Sequence, residues 1–230
     1  MNPSYGIEEW LRISLSDKPI VPAYMSQPRQ HAFIVEHMEA GMFPWCIAEY
    51  KAIANTVGAE NFHLTSLPKS LLNDLPKEFR ELSIQATSQP ITKLAQFSKE
   101  RVCLLDLQAE QVLSPDDAEK FDCFLFGGIL GDDPPRDRTA ELRALGFSGR
   151  NLRDKQMTTD TAVAVTILVT RDKIPINEIP YIDFPELRFS KHEAVEMPFR
   201  YIQGNDAQPV LPEGMRELIR KDADSALDFN

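Results

Sequence analysis

The chain has 230 residues, of which 43% are hydrophobic, and a formal net charge of −10. That length allows one large domain or two small ones with a sizeable core, while the acidic balance excludes a broad footprint for a polyanion, because phosphate neutralisation needs clustered Lys and Arg. No apolar run approaches the roughly eighteen residues of a spanning helix, and the start of the chain lacks the basic and apolar segments of a secretory signal, so a soluble, cytoplasmic protein with basic partners and no membrane is expected.

Residues 1–30 carry four prolines and few aliphatic repeats, and are read as an N-terminal extension outside the core. HAFIVEH from His31 is a first strand. FPWCIAEYKAIANTVG follows as a helix, with Pro44 at its start, Gly58 past its end, and Trp45, Ala48, Ala52, Ile53 and Val57 near helical spacing. NFHLTS is a second strand, and SLPKSLLNDLPKEFRELS gives one or two short helices broken at Pro76. RVCLLDL is a third strand, SPDDAEKF a capped helical turn, and FDCFLFGG a fourth strand, apolar on both faces as the buried centre of a parallel sheet requires.

PPRDRTAELRALGF reads as a short helix stopped by Gly146, and SGRNL as a fifth strand. TTDTAVAVTILVTRDK is predicted as a helix with a Thr or Asp cap, although its β-branched residues suit a strand equally well. Beyond Ile174 the chain is punctuated by prolines and ends in a short charged helix around EGMRELIRKDADSAL. The three cysteines, Cys46, Cys103 and Cys123, have no metal-ligand or paired spacing and are read as reduced core residues. No metal is expected, and His37, at the rim, is read as a satisfied structural histidine.

This alternation predicts an α/β fold, a mostly parallel sheet with flanking helices, whose ligand lies beyond the carboxyl ends of the strands. Those ends carry Glu36, Asp106, Asp132 and Asp133, with Thr158, Thr159 and Asp160 ahead of the last core helix. The loop FGGILGDD lacks the Lys and hydroxyl of a phosphate-binding loop, and its glycines follow the fourth strand rather than the first. Adjacent carboxylates would also repel a pyrophosphate. S-adenosyl-L-methionine fits better, since its sulfonium is positive and glycine lets the backbone approach its adenosine. A simple helix cap is the competing reading of Asp132 and Asp133.

At FLFGGILGDDPPRDRTAELRALGF, followed by LRDKQMTTDTA and VEMPFRYI, the sequence resembles the SPOUT methyltransferase superfamily, and within it the protein-arginine methyltransferase branch. The resemblance covers residues 31–202, a knotted methyltransferase domain, and leaves 203–230 as an acidic C-terminal tail. It implies a C-terminal trefoil knot and three loops holding S-adenosyl-L-methionine, largely through their backbones. The matching positions are Leu105 and Asp106; Gly127, Gly128 and Gly131; and Leu152, Met157, Thr158 and Thr159. MTTDTA departs from the glycine-rich turn of many SPOUT RNA enzymes.

A protonated guanidinium is a poor nucleophile until a carboxylate grips its fork and accepts a proton. That role is assigned to Asp133, helped by Asp132, with Glu36 and Glu39 lining the approach of a basic segment. The resemblance implies an arginine of a basic small-subunit ribosomal protein as substrate. The alternatives are SPOUT-type RNA methylation, disfavoured by the missing basic patch, and a knotted binder of S-adenosyl-L-methionine without catalysis. The sequence leaves the oligomeric state open.

Overall fold

A computed structural model describes residues 30–128, 137, 139–191 and 193–227, the last four of these as backbone alone. The extension assigned to residues 1–30 therefore lies outside the described residues except for Gln30. The first half runs β1 (Ala32–Glu36), α1 (Pro44–Val57), β2 (Phe62–Thr65), α2 (Lys69–Asn73), α3 (Lys77–Leu82), β3 (Gln85–Ala86) and β4 (Val102–Leu105). The second runs α4 (Asp117–Lys120), β5 (Cys123–Gly127), α5 (Ala140–Ala144), β6 (Ser148–Arg150), α6 (Thr159–Thr170), β7 (Tyr181–Asp183), β8 (Glu186–Arg188), β9 (Ala194–Glu196), β10 (Arg200–Ile202) and α7 (Met215–Leu227).

The first six strands form one sheet in the order β3-β2-β1-β5-β4-β6, every neighbouring pair parallel. Alternation along the strands divides the core. Phe33, Val35, Phe124 and Phe126 join the cluster under α1 and α6, whereas Ile34, Leu104, Cys123 and Leu125 join Leu142 and Ile91 on the other face. Cys123–Phe126 are all buried, as the two-sided apolar pattern of β5 requires. All three cysteines are free and buried; burial pushes the Cys46 and Cys123 thiols up to about 11 and about 12.

Local chemistry accounts for the helices that frame the site. In α1, Pro44 opens the first turn and Gly58, at φ +85°, stops the chain, while Cys46, Tyr50, Ile53 and Ala54 turn inward. In α6 the β-branched residues are helical after all. Their propensity deficit is at most about 0.7 kcal/mol each, and burying a Val, Ile or Leu side chain returns about 1.5–3 kcal/mol; Val163 to Thr170 are all buried. The hydroxyls of Thr166 and Thr170 donate back to the carbonyls of Ala162 and Thr166 at 2.8 and 2.7 Å, so no hydroxyl proton there is stranded.

The described part of α5 begins at Ala140, and the opening expected at Pro134 lies outside the described residues; Gly146, at φ +75°, follows its end as expected. Past Ile174 the prolines separate short strands, with β7 pairing β10 and β8 pairing β9, both antiparallel. The Arg200 N–H donates to the Gln156 carbonyl at 2.8 Å, which ties β10 to the loop ahead of α6. The final helix, α7, packs against α1 and β9.

Candidate active site

The carboxyl ends of β4 and β5 and the loop after β6 open on one side of the sheet, at the end where a parallel α/β sheet holds its ligand. A cavity of about 570 Å³ lies there. Its walls come from the extension of β4 (Leu105 to Gln108), the end of β5 (Phe126 to Gly128), the loop entering α6 (Leu152 to Asp160) and Trp45 and Glu49 of α1. Met197 to Phe199, Tyr201 and the α7 residues Met215, Leu218 and Ile219 complete the lining.

The structure thus brings Leu105, Asp106, Gly127, Gly128, Leu152, Met157, Thr158 and Thr159, from three separate loops, onto one surface. Gly131, Asp132 and Asp133 lie outside the described residues. Glu36 and Glu39 are not on the cavity wall. Glu36 is buried, accepting from the Thr65 hydroxyl at 2.6 Å, the Ile91 N–H at 3.2 Å and the Ser66 hydroxyl, so it locks the ends of β1 and β2 together. Glu39 lies in the loop between β1 and α1 and is half-buried. His37 stands next to Gly41 and Tyr50, bonded to both at 3.2 and 3.0 Å, and burial lowers its pKa, in keeping with a neutral structural ring.

Gly128 has a reason to be glycine. A Cβ there would sit 3.0 Å from the Met38 nitrogen and 3.1 Å from the Glu36 carbonyl oxygen, backbone atoms that cannot step aside. The close approach that glycine permits is thus to the chain following β1, and it sets the position of the β5 loop.

One wall is a completed charge network. Asp106 accepts from Arg143 Nε at 2.5 Å and Nη2 at 2.9 Å, from the Thr139 hydroxyl at 2.7 Å and from the Gln108 N–H at 3.0 Å. Burial pushes its carboxyl up, but the hydrogen bonds from Arg143, Gln108 and Thr139 outweigh that and the net shift is downward. Arg143 also reaches Asp137 at 3.0 Å, so the chain leading into α5 is pinned to the end of β4.

The other wall holds two acids without a cation. Glu49, 3% exposed, projects from α1 towards the first turn of α6, where the backbone at Asp160 and Thr159 favours its charged form. Glu49 Oε2 and Asp160 Oδ1 are nevertheless sealed from solvent with no hydrogen-bond donor. Among the described residues neither has an ion-pair partner. Burial raises the pKa of both, and for Glu49 the neighbouring Asp160 charge raises it further. A direct contact between the two carboxyls requires one proton between them. Tyr201, on the same wall, has its phenol raised by burial and then by Asp160 and Glu49.

The lining therefore carries Glu49, Asp106, Asp137, Asp160 and Asp222 against Arg153 and Lys155. Arg153 is turned to Asn177, and Lys155 lies 5.6 Å from the Phe184 ring centre. Such a surface suits cationic guests. The apolar Leu105, Phe126, Leu152, Met157 and Ala162 offer space for a flat ring system, and the backbone at Gly127 and Gly128 is accessible beside it. These features fit S-adenosyl-L-methionine. Sequence reasoning missed Glu49, yet it left a trace: Glu49 is an acid on the same stripe as Cys46, Tyr50 and Ile53, where an apolar residue belongs.

Comparison with known proteins agrees with this geometry. Residues 32–226 match the model of the family described as protein arginine N-methyltransferase SFM1-like, a span that includes nearly all of α7. The chain is 48% identical over 207 residues to protein arginine N-methyltransferase SFM1 of Saccharomyces cerevisiae, covering 85% of this chain and 97% of that protein. A crystal structure of the yeast arginine methyltransferase SFM1 complexed with SAM superposes with a TM-score of 0.78 at 47% identity, over 85% of this chain and 93% of that one. The same enzyme complexed with SAH gives a TM-score of 0.78 at 47% identity, over 82% and 94%.

Proposed function

The chain belongs to the family of SFM1-like protein arginine N-methyltransferases, and from that membership we propose that it transfers a methyl group from S-adenosyl-L-methionine to an arginine of a basic protein. The observation that carries the proposal is the acidic cavity at the carboxyl ends of β4 and β5, with its surplus of carboxylates over cations. When bound, the sulfonium compound supplies an electrophilic methyl group and a thioether leaving group.

The backbone at Leu105, Gly127, Gly128, Leu152, Met157, Thr158 and Thr159 is assigned to hold the adenosine and methionine parts. Asp106 holds the β4 loop in place through Arg143. The trefoil knot implied by the sequence resemblance belongs to the same proposal. Asp132 and Asp133 are assigned from sequence to contact the guanidinium, and Gly131 to complete the β5 loop. Glu36, buried and fully bonded, acts on the site only by holding β1 to β2, whereas half-buried Glu39 keeps its assignment to the approach of a basic segment. For the substrate we propose a small-subunit ribosomal protein in the cytoplasm, whose basic surface complements a net charge of −10.

A labelled-methyl assay on an extract from cells lacking the enzyme tests this reading. Acid digestion of the labelled material should give methylarginine in a ribosomal protein. Label in nucleotides would instead support RNA methylation, and no transfer would leave a binder without catalysis. Asp133→Asn, assayed at saturating cofactor, tests the assignment made from sequence to that acid.

A further inference from the structure

Glu49, which is buried, and Asp160, half-buried with a buried Oδ1, are the groups whose chemistry the cavity leaves unfinished. The first projects from the middle of α1 and the second from the first turn of α6, and both belong to the cavity wall. The backbone at Asp160 and Thr159, where α6 begins, favours the charged form of Glu49. Its Oε2, with Asp160 Oδ1, is buried without a donor from any other residue. Buried carboxylate oxygens ordinarily have donors from neighbouring residues, whereas this pair has only a proton held between the two acids. Trp45, one helical turn before Glu49 on α1, adds a half-buried aromatic side chain to the same wall, and the buried Tyr201 of β10 packs beside it. A planar cation with several N–H donors, set beside an aromatic face and two acceptors, is what this wall lacks.

We propose that Glu49 and Asp160 together receive the guanidinium of the substrate arginine, orient its reacting nitrogen and take up the proton released on methylation. This rests on the arginine methyltransferase reading above and assigns that chemistry to the two acids. In the resting protein the two carboxyls share one proton. A guanidinium replaces it, placing N–H donors against Glu49 Oε2 and Asp160 Oδ1, and the proton leaves to solvent.

On transfer, the nitrogen's electron pair forms the bond to the methyl carbon, and the sulfur keeps the pair of the broken S–C bond. The nitrogen's extra proton passes to the carboxylates, so the shared proton is restored and the methylated guanidinium leaves with its single positive charge. The titratable groups facing the pair are Cys46 on α1 and Tyr201 on β10, both raised by burial, with Arg153, Lys155 and Asp222 elsewhere on the lining.

Two measurements on the full chain test the pair. The first is calorimetry of an arginine-containing basic peptide binding to protein loaded with S-adenosylhomocysteine, in two buffers of different ionisation enthalpy at neutral pH. About one proton should be released per peptide bound by the unaltered protein, and none by Glu49→Gln or Asp160→Asn. The second is methyl transfer at saturating cofactor. Each variant should lose about 100-fold or more in kcat/KM while binding the cofactor as the unaltered protein does.

Glu49→Gln keeps the shape of the side chain, and thermal unfolding of both variants checks that the fold is intact. Peptide binding with no proton release, or a folded Glu49→Gln that transfers methyl groups at the original rate, overturns the assignment and leaves the proposed function standing. Loss of transfer in Asp133→Asn with full activity in Glu49→Gln would move the role to the β5 loop. If the unaltered protein makes no methylarginine on any protein, both readings fall.

Discussion

Asp106 and Asp160 are carboxylates on the wall of one cavity, the first at the end of β4 and the second in the first turn of α6. Asp106 has donors on both oxygens, including a two-pronged contact with Arg143, and its pKa is lowered. Glu49 is buried and its neighbour Asp160 half-buried with a buried Oδ1; neither has a cation among the described residues, and their pKa values are raised. A carboxylate that has its cation from within the chain positions a loop; one that lacks it is a place for a cation from outside.

The comparison is broken most severely at the unsatisfied pair. Glu49→Gln and Asp160→Asn should lower methyl transfer by about 100-fold, equivalent to about 2.7 kcal/mol of barrier, with a thermal midpoint unchanged or raised at neutral pH. A midpoint that drops as far as the activity would show that these acids are structural like Asp106.

The reverse pattern belongs to the satisfied wall. Asp106→Asn removes an anion that accepts charge-assisted bonds and should cost about 1–3 kcal/mol of stability by denaturant unfolding, with cofactor affinity falling as the β4 loop loosens. Activity lost with no change in stability or affinity would mean that Asp106 touches the reacting groups itself.

A stability-versus-pH curve sharpens the contrast, since the two walls slope in opposite directions. Asp106 is depressed below its ordinary 3.8, so its contribution is present above that value and is lost as pH falls below it towards the folded pKa. Glu49 is raised above its ordinary 4.5, so folding is favoured below that value and its contribution is lost as pH rises from there towards the folded pKa. The acid pair should therefore contribute a fall of up to about 1.4 kcal/mol per pH unit above 4.5. Glu49→Gln should flatten it. An unaltered slope in that variant would remove Glu49 as the titrating group.

The smallest effect is expected at the exposed Lys51–Glu213 pair, which joins α1 to the segment before α7 at 3.1 Å with 39% and 84% of the side chains exposed. Lys51→Ala should change stability by less than about 1 kcal/mol. A larger loss would indicate that this link seats α7 over the cavity.

Much of this molecule is written locally. Pro44 and Gly58 bracket α1, the two-sided apolar run of β5 marks the middle of the sheet, and the loops carrying Leu105, Gly128 and Met157 lie at strand ends that alternation alone identifies. Those signals are legible because caps, turns and hydrophobic periods act over a few neighbouring residues. The β-branched α6 was ambiguous by the same rule, and burial on nearly every side made it a helix.

What each acid does is a different kind of question. Glu36 and Glu49 look alike in the sequence, each a carboxylate in apolar surroundings. The fold gives Glu36 two hydroxyls and a backbone N–H and leaves Glu49 with an oxygen unmatched. By itself, then, the sequence determined the elements, the end of the sheet where the site lies and the kind of guest its charge favours. Tertiary structure alone decided which carboxylates are matched, because a charge is settled by partners within a few ångströms, and those partners come from segments far apart in the chain.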